Sequence, residues 1–176
     1  MANLSTTKED QEMATYADRV LNSVDPAYLV SLGKFVWIFA IYEKVIVDII
    51  SRLDPEFGET YNRRPNGLTG GAIVSKMEQL LKAGNTTDFS KLPEDEFRAL
   101  HAQFEDFKNL RNTIYHGRPI ATPDRVAILA YQGIEKKTKE ARDKHWLASD
   151  LDALAEQIAE AEINQAMTAF EKVRTS

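Results

Sequence analysis

Between Asp25 and Asp54 apolar residues recur so densely that no face of a helix is left polar: Leu29, Leu32, Phe35, Val36, Ile38, Phe39, Ile41, Tyr42, Val45, Ile46, Ile49 and Ile50. Asp25-Pro26 supplies an N-cap followed by proline at the first helical position. Asp54-Pro55 stops the run, because a residue before proline avoids the α region. The pattern predicts one long helix ending near Leu53. A helix apolar on every side has to be covered on every side, by a large core or by a core plus a second subunit. In a chain of 176 residues the second arrangement is attractive.

The flanking segments are less apolar. Lys8 to Asn22 carries moderate helical periodicity through Met13, Tyr16, Ala17, Val20 and Leu21. Pro55 to Gly67 reads as a loop containing Arg63-Arg64, and a shorter helix follows from about Gly70 to Lys82, stopped by Gly84. Pro93 with Glu94, Asp95 and Glu96 opens another helix whose acidic first turn suits the helix dipole. Its buried stripe is Phe97, Leu100, Phe104, Phe107 and Ile114, and His116-Gly117 with Pro119 beyond is a strong stop.

The period then changes. Arg125 to Tyr131 reads as a strand, Gln132-Gly133 as a turn, Ile134 to Lys139 as a return, and Lys144 to Ala148 as a short further strand. Ser149 with Asp152 resembles a capping box opening a C-terminal helix to about Arg174, with Leu151, Leu154, Ile158, Ile163, Ala166, Met167 and Phe170 at helical spacing. The expected fold is mainly all-α, an antiparallel helical bundle forming a single domain over 1–176. Its helical core spans about 8–117, a small β-hairpin about 125–148, and the last helix about 149–174.

Composition narrows the function classes. There are no cysteines, so disulfides, thiolate catalysis and Cys-based metal sites are excluded. The three histidines, His101, His116 and His145, have no close ligand spacing, so no dedicated metal or cofactor is expected. Met1 to Glu12 lacks the apolar core of a secretory signal, and Phe35 to Tyr42, the longest uncharged part of the apolar stretch, is far short of the roughly 20 residues of a membrane span. The expectation is a cytoplasmic protein with no membrane partner. A formal charge of −5 argues against a bulk nucleic-acid binder, so RNA contact has to be local and transient. Lys136-Lys137-Thr138-Lys139 reads as a charged edge that discourages aggregation.

Chemistry concentrates at the end of the Pro93–His116 helix. Continuing the apolar stripe from Phe104 and Phe107 lands on Arg111, and a guanidinium on a core-facing stripe needs a partner. Glu43, inside the long apolar helix, is the partner expected by type. Asn112 and His116 share a helix face, whereas Arg111 and His116 are offset by about 140° around the axis and about 7.5 Å along it. One helix therefore presents them on adjoining faces, and two copies crossing near their ends could gather both sets round one cleft. His116 sits where the helix dipole favours a positive charge, which suits a general acid or base.

The segment Leu110-Arg111-Asn112-Thr113-Ile114-Tyr115-His116-Gly117 resembles the motif of HEPN domains, with an Arg, a polar residue after it, four residues between Arg and His, and a helix end at the His. The resemblance covers about Lys8 to His116. It implies long antiparallel helices and a homodimer joined across the motif face. It also implies a metal-independent endoribonuclease, often a toxin or a defence or stress effector, that leaves a 2′,3′-cyclic phosphate (or 3′-phosphate) and a 5′-OH. In that scheme the catalytic residues are Arg111, which stabilises charge on the phosphate, Asn112, which orients phosphate or His116, and His116, the acid or base. Glu43, Tyr115 and Lys108 are supporting residues, Tyr115 as a base-stacking surface. Read from the residues alone, Arg63-Arg64, Lys108 and Arg118 offer a local phosphate-attracting rim, but exposed basic residues are usually just solvated, and that is the favoured reading.

A structural role for each remains open: an interhelical ion pair for Arg111, a C-cap contact for His116, and solvated surface positions for His101 and His145. So does a second functional class, a non-catalytic HEPN-like regulatory module such as a sensor, an adaptor or an antitoxin partner. An unrelated ligand-binding bundle is the third class.

Overall fold

A computed structural model of the chain describes residues 24–63, 69–84, 89–121, 127–134 and 141–174. It is mostly helical with a small three-stranded antiparallel sheet. The expected helix at Lys8–Asn22 and the Lys136–Lys139 run lie outside the described residues.

The centre is α1, Pro26–Leu53, capped as its sequence requires: the Asp25 carboxylate accepts from the Ala27 N–H at 2.9 Å, with Pro26 in the first turn. Its buried face carries Tyr28, Phe35, Phe39, Tyr42, Ile46, Ile49 and Ile50. The opposite face leaves Val30 and Trp37 each 71% exposed, with Ile41 beside them. The helix is therefore apolar all round, as the sequence reads, but the described residues cover it on only part of its circumference.

Pro55–Arg63 is not a loop but a second helix, α2. Asp54-Pro55 repeats the grammar of Asp25-Pro26: Asp54 ends α1, and its carboxylate caps the next helix by accepting from the Phe57 N–H at 3.1 Å. Phe57 and Tyr61, one turn apart, pack at a tilt with centroids 6.3 Å apart. Helix α3, Gly70–Ala83, starts at a Thr69 cap and ends at Gly84, whose φ of +46° lies in the region that glycine adopts without strain. Helix α4, Glu94–Tyr115, buries the whole expected stripe of Phe97, Leu100, Phe104, Phe107 and Ile114. It meets α1 through aromatic rings, with Phe104 5.8 Å from Tyr42 and 6.2 Å from Phe39, and Phe107 6.2 Å from Tyr42.

The β region differs from the expected hairpin. Strand β1, Arg118–Ala121, pairs with β2, Ala127–Ile134, which pairs with β3, Ala141–Trp146. Gln132-Gly133 is not a turn: both residues lie inside β2, opposite Asp143 and Arg142. β1 escaped detection because it is four residues long and contains Pro119, an acceptable residue on an edge strand. The sheet is fastened to α1 by Tyr28, whose hydroxyl accepts from the Leu129 N–H and donates to the Trp146 carbonyl, both at 3.0 Å.

Helix α5, Ala148–Gln157, begins earlier than the Ser149–Asp152 pattern implied. The Asp150 carboxylate accepts from the Leu147 N–H at 2.9 Å. Asp152 instead ties α5 to α1, accepting from the Ser31 hydroxyl at 2.9 Å and pairing with Lys34 at 3.4 Å. A π turn at Ile158–Glu162 interrupts the expected continuous helix before α6, Ile163–Arg174. The extra residue in that turn carries Glu162 into the interior, where its charge raises the Tyr42 hydroxyl further above its ordinary value, burial being the larger cause.

Tyr28→Phe is expected to remove both bonds of the sheet anchor and leave the Leu129 N–H without its partner. The cost is about 1–3 kcal/mol, read as a lowered midpoint at constant slope in urea denaturation.

Candidate functional site

Arg111 lies on the last turn but one of α4 and points into the seam with α1. One terminal nitrogen is 3.3 Å from a Glu43 oxygen, and the other donates to the Asn112 side-chain oxygen at 3.2 Å. The guanidinium carbon stands 5.2 Å from the Phe39 ring centre and 4.9 Å from that of Tyr115. The expected Arg111–Glu43 partnership is therefore present. Both side chains are about one-fifth exposed, so the pair is partly desolvated. Burial pushes the Glu43 carboxyl above its ordinary value of 4.5, and the Arg111 charge opposes that shift without cancelling it. Tyr61 of α2 stands near the same charge, its hydroxyl raised first by burial and then by Glu43 and Asp48.

Asn112 turns toward Arg111 through its side chain, and its bond with His116 is between backbones, the His116 N–H reaching the Asn112 carbonyl at 3.0 Å. Tyr115 is half-exposed, with its ring against Arg111. Lys108 lies along α3, where a Cβ on Gly70 would come within 2.9 Å of its stem, so the absence of a side chain at Gly70 is what admits it. Arg63 ends α2, and Arg64 lies outside the described residues.

His116 caps α4 and is exposed. It opens onto a cleft of about 430 Å³ walled also by Arg118, Ile120, Ala130, Tyr131, Gln132 and His145. Arg111 is not among these residues. The one helix end thus presents two different surfaces, as the five-residue offset predicts: Arg111 toward α1, and His116 toward the sheet. Gly117 sets the joint. A Cβ there would lie 3.0 Å from the Ile114 carbonyl and 3.1 Å from the Leu129 side chain, so β2 packs directly against the end of α4.

The cleft contains residues the sequence did not single out. Pairing places Arg118, Ala130 and His145 in one row across the three strands, hence on one face, with the small Ala130 between two long polar side chains. His145, expected as an ordinary surface residue, is exposed but lines this cleft. His101, also expected at the surface, is half-buried with its Nε2 enclosed and unpartnered. No sequence pattern flags His145, because only strand pairing brings it to His116. Chemically, the cleft gathers two imidazoles, a guanidinium and an amide, a set suited to an anionic substrate and to proton transfer. Among the described residues no cluster has the composition of a metal site.

Comparison with family models, curated proteins and solved structures finds no match to this chain.

Two outcomes follow from the buried pair. Arg111→Ala leaves Glu43 desolvated and unpaired and is expected to cost about 1.5–3 kcal/mol, measured by urea denaturation. Because the folded state holds the Glu43 proton more tightly than the unfolded chain, this carboxyl contributes most to stability below pH 4.5 and loses that contribution as pH rises through its raised value. Wild type is therefore expected to lose stability relative to Glu43→Gln between pH 4 and pH 7, in matched denaturation curves.

Proposed function

We propose that the chain is a HEPN-type endoribonuclease that cuts RNA without a metal ion and acts as a homodimer. The observation that carries this reading is the position of His116, at the end of α4 and open to a polar cleft that also holds Arg118 and Gln132. His116 acts on the attacking 2′-OH or on the leaving oxygen. Arg111 and Asn112 form one braced unit beside Tyr115 and supply charge to the phosphate across the dimer, where a second copy brings its motif face against the first. Glu43 and Phe39 hold that unit in place, and Lys108 lies behind it. Cleavage leaves a 2′,3′-cyclic phosphate and a 5′-OH. The reading takes the protein as cytoplasmic, from its sequence composition, and, by the resemblance, as a toxin or a defence or stress effector with an antitoxin as partner.

On the side of α1 away from Phe39 and Glu43, and so away from the motif, lies a second apolar contact surface. Trp37, Ala40, Ile41, Lys44 and Val45 line a shallow apolar hollow of about 280 Å³, and exposed apolar surface of this kind marks an interaction site.

A second reading is favoured by one specific observation: Arg111 is engaged by Glu43, Asn112, Phe39 and Tyr115 within its own chain. That is the arrangement of a structural clasp, and it fits a non-catalytic HEPN-like module acting as a sensor or adaptor.

The two readings separate in an RNA cleavage assay run in EDTA. The nuclease reading expects wild type to cut a mixed tRNA and mRNA pool to cyclic-phosphate ends and His116→Ala to be slower by about 100-fold or more; equal inactivity of both would favour the module. In sedimentation equilibrium Tyr115→Glu is expected to shift the protein from dimer to monomer and Trp37→Glu to leave the dimer intact; the reverse would move the interface to the uncovered face of α1.

A further inference from the structure

We infer that the cleft beside His116 is a phosphodiester site in which His145 is the second acid–base residue and Arg118 is the cation this chain sets against the phosphate. The inference rests on the nuclease reading above, but it names a residue and a division of labour that the Arg-x4-His segment does not contain.

The sheet register is the first ground. Arg118 and His145 occupy the two outer strands of one row, and Ala130 lies between them on β2. With adjacent strands about 4.8 Å apart, their backbones are separated by about 10 Å. Two long side chains rising on either side of a methyl group leave a hollow of the width a phosphate occupies. A larger residue at position 130 would fill it.

The second ground is the way His116 enters. It sits two residues before Arg118, at the point where the chain leaves α4 for β1, and it walls the same cleft as His145. Gly117 fixes that short connection against β2. The two imidazoles therefore reach one cavity from different elements, a helix end and an edge strand. Both are exposed, as groups that exchange protons with substrate need to be.

The groups that face or flank these histidines are defined. From β1 comes Arg118, from β2 comes Gln132, with the Tyr131 ring turned to the other face over Gly133, and on β3 Asp143 and Lys144 flank His145. Lys144 is directed away, with its ammonium 4.0 Å from the centre of the Trp146 ring. Asp143 stands opposite Gln132 in the sheet. The cationic partner that walls the cleft is thus Arg118.

The reaction balances without a co-reactant. One histidine takes the 2′-OH proton as the 2′-oxygen bonds to phosphorus. The bond from phosphorus to the 5′-oxygen breaks, and the other histidine delivers a proton to that oxygen. The products are the 2′,3′-cyclic phosphate and a free 5′-OH. One histidine ends protonated and the other neutral, and exchange with solvent restores both. Arg118 compensates the charge that builds on the phosphoryl oxygens.

The test uses the full chain and two readouts. In the first, inorganic phosphate is titrated while the imidazole Cε1–H proton signals are followed, assigned with His101→Ala, His116→Ala and His145→Ala. The His116 and His145 signals are expected to move together with one midpoint, His101 to stay still, and Arg118→Ala to weaken binding by about tenfold. Movement of His116 alone, or of neither, overturns the site. In the second, RNA cleavage by His145→Ala and His145→Gln is measured across pH. Both are expected to lose about 100-fold or more, with one limb of the bell-shaped profile gone, while their thermal unfolding matches wild type. Wild-type rates and an intact bell in these variants would overturn the role of His145 and leave the nuclease reading standing. A wild-type protein that binds phosphate at both histidines but cuts no RNA would overturn the nuclease reading and the acid–base role together, leaving an anion site.

Discussion

Everything in this fold is arranged around the need to cover a 28-residue helix that is apolar on nearly every side. Helix α1 packs against α2, α3, α5, the π turn and α6, and meets α4 through aromatic rings. Burial of Phe35, Phe39, Tyr42 and four isoleucines or valines along one helix is worth about 1.5–3 kcal/mol for each side chain, so the surrounding elements have little freedom in where they dock. Among the described residues, Val30, Trp37 and Ile41 on the far side of this helix are left uncovered.

The site follows from this packing in two steps. Aromatic contacts bring α4 alongside α1, so that Arg111 falls beside Glu43 and Phe39 and is held there by charge and ring contacts together. Helix α4 then stops at His116, and the close approach permitted by Gly117 turns the chain at once into the sheet that Tyr28 anchors to α1. The guanidinium is thereby fixed in the helix seam, while His116 projects over the sheet. Two neighbouring positions in sequence acquire different surroundings because a helix rotates them apart and then ends.

What was legible in the sequence was what depends on local rules. Asp25-Pro26, Gly84, the acidic turn after Pro93 and the His116-Gly117 stop mark helix ends, and the stripe from Phe97 to Ile114 follows from helical periodicity. Periodicity also shows that Arg111 needs a partner and suggests Glu43 by type, whereas their contact is decided by packing. Helix α2 is hidden in the sequence because Asp54-Pro55 reads as a stop, although the same pair can end one helix and cap the next. The sheet was misread because β1 is short and contains proline, and because Gln132-Gly133, a turn pair by composition, is held in a strand by partners on both sides. His145 was beyond reach for a deeper reason: its neighbours depend on strand register, which long-range packing decides and no local spacing records.

The central claim, that RNA is cut in the cleft between His116 and the sheet, is tested most directly by a crystal structure of the full chain with a short RNA whose 2′-OH at the cleavage position is replaced by hydrogen. The account predicts the scissile phosphate between His116 and His145, against Arg118 and above Ala130. A phosphate bound elsewhere, with the cleft holding only solvent, would contradict it.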